Sequence, residues 1–114
     1  MISKRYFPPD LLYDFLKIEN DQINSEILGY SVNGLPIYKL RIGNGKQKIF
    51  MWSQMHGNES TTTRAIIGIL ENFKSGKALK ILDQLSLFII PQLNPDGSKA
   101  VSYTHLTLPT NREV

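Results

Sequence analysis

The sequence predicts an α/β fold, a mixed β-sheet flanked by helices, and three observations predict it. Two nearly continuous apolar runs, Ile49 to Trp52 and Leu87 to Ile90, have the length and continuity of buried strands. Between them Ala65, Ile66, Ile69, Leu70 and Phe73 recur at helical spacing. Ahead of both, two strand-like segments flank Asn33-Gly34, the dipeptide that most readily adopts the positive φ values of a tight hairpin turn. Strand, helix and strand in succession form a βαβ-like unit with parallel strands, and the hairpin adds antiparallel ones.

In chain order, Pro8 and Pro9 precede Leu11, Leu12, Phe15 and Leu16, an apolar stripe that predicts a short peripheral helix ending near Asn20. Glu26 to Val32 and Leu35 to Ile42 read as the strands of the hairpin, and Asn44-Gly45 gives a second turn signal directly after them. Lys48 to Gln54 reads as a strand covered on both faces. From Ser60 the period becomes helical until Ser75-Gly76 stops it. Leu79, Leu82 and Leu85 predict a further helical turn or two, and Ser86 to Leu93 another buried strand.

At 114 residues the chain can hold one modest domain or part of a larger one. Its 41% hydrophobic and 20% charged residues are the balance of a folded globular chain. The net charge of +3 comes from basic residues spread without a block, so no nucleic-acid partner is expected. With no cysteine there is neither a disulfide nor a thiolate metal site, and any transition metal must be held by His, Asp or Glu. Met1 to Asp10 lacks the apolar core of a secretory signal and no run approaches a membrane span, so no membrane partner and a cytoplasmic location are expected.

Chemistry concentrates at Gln54-Met55-His56-Gly57-Asn58-Glu59, where a buried strand gives way to a helix, the place where α/β sheets usually carry their sites. A His followed three residues later by Glu at such a junction can bring an imidazole nitrogen and a carboxylate to one side, and zinc accepts both. Gly57 would let the chain turn sharply, and Asn58 or Ser60 could cap the helix. The alternative is structural: His56 as a hydrogen-bonded residue at a strand end, and Glu59 as a complement to the positive end of a helix dipole. A second junction, Asn94-Pro95-Asp96-Gly97, ends the next buried strand, so both strand ends face one crevice.

Gln54 to Thr62 together with Ile90-Pro91-Gln92-Leu93-Asn94-Pro95-Asp96-Gly97 resemble the zinc carboxypeptidase family that includes the pancreatic carboxypeptidases. The likeness is close from His56 to Gly97 and looser over the N-terminal hairpin. It implies a truncated zinc-carboxypeptidase-like domain, a Zn2+ cofactor bound by His56 and Glu59, and a peptide substrate with a free C-terminus. It further implies metal-assisted hydrolysis of the C-terminal peptide bond by the full-length parent. The third ligand His and the general-base Glu of that family would lie downstream, so no catalytic residue is assigned within this chain. Asn94 and Asp96 are assigned to shaping the loop, with Gly97. Asn58 stands where digestive members often carry a substrate-binding Arg. Arg64 is expected to be a solvated or salt-bridged surface residue.

A zinc deacylase of the aspartoacylase or succinylglutamate desuccinylase type shares a similar His-Gly-Asn-Glu motif, but Asn94-Pro95-Asp96-Gly97 is characteristic of the peptidases. A non-catalytic binding module on the same fold is the rival from another class. After Gly97 the family's Asn-Arg segment does not follow. Back-translation of Ala100 through Leu106 can contain CTGTCTCTTATACACATCT, which resembles a transposon-end adapter used in sequencing libraries. The expectation is therefore that residues 1–100 are the N-terminal part of a zinc carboxypeptidase catalytic domain and 101–114 an artefactual tail. Neither His105 nor Asn111-Arg112 is assigned a role.

Overall fold

The computed structural model describes residues 6–17, 23–76 and 79–107. In chain order the elements are α1 (Pro9–Leu16), β1 (Ile23–Tyr30), β2 (Pro36–Ile42), β3 (Gln47–Trp52), α2 (Thr61–Lys74), α3 (Leu79–Leu82), β4 (Leu85–Ile90) and α4 (Pro95–Thr107). The strands form one sheet in the order β1-β2-β4-β3. β1 with β2 and β2 with β4 run antiparallel, whereas β3 and β4 are parallel. The mixed sheet follows from this one parallel pair, joined through α2 and α3.

The β1–β2 hairpin forms where Asn33-Gly34 permits it. Gly34 has φ +84°, and the turn closes through Ser31 N–H donating to the Leu35 carbonyl at 2.8 Å and Gly34 N–H to the Ser31 carbonyl at 2.9 Å. Asn44-Gly45 behaves differently: β3 does not pair with β2, and the connection instead crosses β4. A Cβ on Gly45 would fall on the backbone of Gln84 and Leu85, so glycine is needed there for a close approach rather than for a hairpin turn.

Because side chains alternate along a strand, Leu40 and Ile42 of β2, Leu87 and Ile89 of β4, and Met51 of β3 share one face. Against them pack Ile66, Leu70 and Phe73 of α2 and Leu82 of α3, with Phe15 and Leu16 of α1 at the margin. Leu40, Ile42, Leu70 and Ile89 are fully shielded from solvent. Each contributes roughly 1.5–3 kcal/mol by leaving water. The buried stripe of α2 is rotated from the expected one: Thr63, Ile66, Leu70 and Phe73 face inward, while Ala65 and Ile69 are exposed. Thr63 takes an inward position because buried acceptors on the neighbouring strand ends engage its hydroxyl.

β3 corrects a second expectation. Its apolar run suggests cover on both faces, but β3 is the terminal strand of the sheet, and Ile49, Phe50 and Trp52 are exposed. Phe50 and Trp52 pack with tilted rings at 5.5 Å on the face opposite the core, level with Phe88, over which Arg41 lies at 5.8 Å.

Helix α1 begins at Pro9, as the prolines suggest. The predicted end of that helix near Asn20 lies outside the described residues. Tyr13 on α1 donates its hydroxyl to the Pro36 carbonyl at 2.9 Å and packs on Tyr38. Burial, then the Tyr38, Asp10 and Asp96 charges, push the Tyr13 phenol up to about 12. A raised folded pKa means that the neutral phenol stabilises the fold fully below the unfolded value near 10, and that this contribution is lost as pH rises through about 12. Denaturant midpoints are therefore expected to fall across that window, and the fall to shrink in Tyr13→Phe.

Helix α4 starts directly after the β4 extension and runs through Ala100 without a break, with Val101 buried at 4% exposure. The tail beyond Thr107, Asn111-Arg112 included, lies outside the described residues.

Candidate metal centre

The site grows from the parallel strand pair. Beyond Trp52 and Ile90 the two chains continue side by side: Ser53 N–H donates to the Ile90 carbonyl at 3.0 Å, Leu93 N–H to the Ser53 carbonyl at 2.9 Å, and Asn94 N–H to the Gln54 carbonyl at 3.1 Å. This pairing carries both motifs to the same end of the sheet, as the sequence implies.

At Gln54 the first chain leaves the strand direction with φ +55°, which no other non-glycine residue among those described adopts. Such a backbone costs about 1–2 kcal/mol for an L-residue. The next residues form a turn in which Glu59 N–H donates to the His56 carbonyl at 3.1 Å. His56 and Glu59 are both exposed on this turn, while Gly57 between them is buried. Ser60 occupies the N-cap position of α2, but its hydroxyl makes no capping bond there.

Gly57 is required for a reason other than a sharp turn. A Cβ on it would collide with the backbone of Gly97, standing 2.6 Å from the Gly97 Cα and closer still to its carbonyl. The His56 turn thus lies directly on the first turn of α4. Asn94 sets that helix start, accepting from Gly97 N–H at 2.9 Å in the manner of an N-cap, with Pro95 at the first helical position. Its amide also donates to the Met55 carbonyl at 3.2 Å. Asp96 accepts from the Ser31 hydroxyl at 2.6 Å and from Asn33 N–H at 3.1 Å, tying α4 to the hairpin turn. The loop-shaping role expected of Asn94, Asp96 and Gly97 is what they perform.

Beneath the turn is a buried polar network that sequence reading missed. The Gln54 side-chain oxygen accepts from the Thr63 hydroxyl at 2.6 Å and from the Gln92 amide at 3.0 Å, while its nitrogen donates to the Gly57 carbonyl at 2.9 Å. Gln92 also reaches the Phe7 carbonyl, and Ser98 donates to that same carbonyl at 2.7 Å. Gln54, Thr63, Gln92 and Ser98 are each no more than 4% exposed. The available signal was Ser53-Gln54 and Gln92, polar residues directly continuing two otherwise apolar strands. Arg64, expected on the surface, is half-buried: its guanidinium donates to the Tyr6 carbonyl at 2.9 Å and covers the Phe7 ring at 5.3 Å. The apolar stem of arginine permits this position.

An imidazole and a carboxylate on a turn pinned from below match the donor chemistry of zinc. Among the described residues, no group of three or more His, Cys, Asp or Glu is gathered that could hold a metal. His105 stands in the last turn of α4. Among the described residues, no helix is long and apolar enough to cross a membrane.

A parallel strand pair ending in a His-x-x-Glu turn laid on an Asn-Pro-Asp-Gly helix start is the candidate site of this α/β protein. The profile of the zinc carboxypeptidases matches residues 12–113, and the chain belongs to that family. It is similar to carboxypeptidase D of Anas platyrhynchos, with 32% identity over 109 residues that cover 82% of this chain and 8% of the relative. It is also similar to gamma-D-glutamyl-L-diamino acid endopeptidase 1 of Lysinibacillus sphaericus, with 30% identity over 84 residues, 65% of this chain and 21% of that one. A metallo-carboxypeptidase from Burkholderia cenocepacia superposes with TM-score 0.75 at 23% identity, covering 82% of this chain and 28% of the other. The chain thus spans less than a third of each of these proteins.

Proposed function

We propose that the parent of this chain is a zinc-dependent metallocarboxypeptidase that hydrolyses the C-terminal peptide bond of its substrate, with His56 and Glu59 as two protein ligands of the metal. The observation that carries the reading is the placement of these two donors, exposed on one turn, at the C-terminal end of a parallel strand pair. Family membership supports a peptide substrate; that it ends in a free C-terminus is part of the proposal.

A zinc ion held there would supply Lewis acidity towards a scissile carbonyl and a bound water. The chain's own contribution is to hold the ligands. His56 offers a ring nitrogen and Glu59 a carboxylate from backbone positions closed by one turn bond. The third ligand and the general base belong to the remainder of the parent protein.

The test is hydrolysis by the full-length protein of a peptide series ending in free carboxylates, alongside the same peptides amidated. Release of the C-terminal residue from the free series alone is expected, lost on chelation and restored by zinc. Hydrolysis of N-acyl amino acids with the peptides left intact would overturn the reading in favour of a deacylase.

A further inference from the structure

We propose that Gln54 is a positioning residue of the metal turn, its carboxamide fixing the geometry between His56 and Glu59 through the Gly57 carbonyl. The proposal rests on the reading of those two residues as ligands.

Two peptide groups flank His56 closely, and each is clamped by a different side chain. The Met55 carbonyl, one residue before, accepts from Asn94, and the Gly57 carbonyl, one residue after, accepts from Gln54. The Asn94 contact is exposed, whereas the Gln54 contact is buried, where a hydrogen bond competes with no water. The carboxamide is itself immobilised. Its oxygen is held by Thr63 from α2 and by Gln92 from the β4 extension, so three chain segments converge on one side chain.

The backbone supports the same conclusion independently. Position 54 has φ +55°, where glycine would sit without strain, yet it carries a long polar side chain. The strained position is thus the one whose side chain holds the Gly57 carbonyl. Hydrogen-bonding partners that orient metal ligands typically change metal affinity by 10–100-fold when removed. Gln54 does not touch the ligand atoms and acts through the peptide that joins them.

The experiment uses Gln54→Met, close to isosteric and unable to hydrogen-bond, in the full-length protein. Zinc affinity is measured by competition with a chromophoric chelator, the visible absorption of the Co2+ form reports ligand geometry, and melting of the metal-free protein reports folding. Zinc affinity is expected to fall about 10–100-fold, with a shifted Co2+ spectrum and a cooperative metal-free melt. Wild-type zinc affinity and an unshifted spectrum in Gln54→Met would overturn the proposal. If Gln54→Met does not fold, Thr63→Val loosens the same carboxamide. Its zinc affinity should drop and Thr63→Ser should restore it, whereas wild-type affinity in both would overturn the proposal. His56→Ala separates this failure from failure of the underlying reading: unchanged zinc binding there defeats the ligand assignment itself, and the proposal with it.

Discussion

Gly57→Ala is expected to destabilise the protein by about 3 kcal/mol or more, at the upper end of what overpacking costs. The added methyl would meet the carbonyl carbon, carbonyl oxygen and Cα of Gly97, all backbone atoms in the first turn of α4. A side chain in the way could rotate aside, but a helix backbone moves only with the helix. Retreat of α4 would pull Asp96 from Ser31 and Asn33, and Ser98 from the Phe7 carbonyl, so the strain spreads into contacts on two other segments. Gly68→Ala is the control. It sits mid-helix in α2, exposed, with nothing within 4 Å of an added Cβ, and should stabilise by about 0.5–1 kcal/mol through helix propensity alone. Denaturant midpoints moving in opposite directions for two Gly-to-Ala changes would establish that contact, not composition, makes Gly57 obligatory. Equal midpoints for Gly57→Ala and the native chain would contradict the packing described.

The sequence made legible those features that depend on neighbours in the chain. The hairpin follows from a positive φ at Gly34, and the parallel pair from two apolar runs separated by a helical period. Features that depend on distant segments were less visible. Gly57 is explained by Gly97, forty positions away, and Gly45 by Gln84 and Leu85, so the glycines could be noticed but their reasons could not. Likewise Thr63 faces inward because Gln54 and Pro91 offer it acceptors, which rotates the stripe of α2 away from its most hydrophobic reading. A Gln in a sequence gives no sign of burial, since most are solvated. Only the completed network explains why Gln54 and Gln92 are inside. The burial expected of β3 failed for a related reason. An apolar run records what the strand is suited to pack against, and among the described residues β3 has a neighbour on one edge alone, with Phe50 and Trp52 exposed on the face opposite the core.

The two motif blocks are informative because the fold makes one unit of them. Asn94 from the second block holds the Met55 carbonyl of the first, and Gly97 of the second receives Gly57 of the first. Their joint occurrence is thus a physical requirement of the turn. Either block alone would leave the other's backbone groups without the partner they have here.

His56→Ala should reduce zinc affinity of the full-length protein by more than about 100-fold, beyond the range seen when only an orienting partner is removed. Peptidase kcat/KM should fall by about a thousandfold, corresponding to about 4 kcal/mol of lost transition-state stabilisation. The exposure of His56 makes the experiment decisive. A solvent-facing side chain with no part in the core should change metal-free stability by no more than about 0.5 kcal/mol, so loss of zinc with an unchanged metal-free melt identifies a ligand. The structural alternative predicts the reverse: a His56 that serves the fold would lower metal-free stability and leave zinc binding intact. The same contrast applies at Glu59. As a ligand, Glu59→Ala costs metal affinity; as a complement to the α2 dipole, it costs about 0.3–1 kcal/mol of stability, screened by salt, and no metal. Zinc titration and metal-free denaturation of the two variants, run side by side, therefore assign each residue independently of any assay of catalysis.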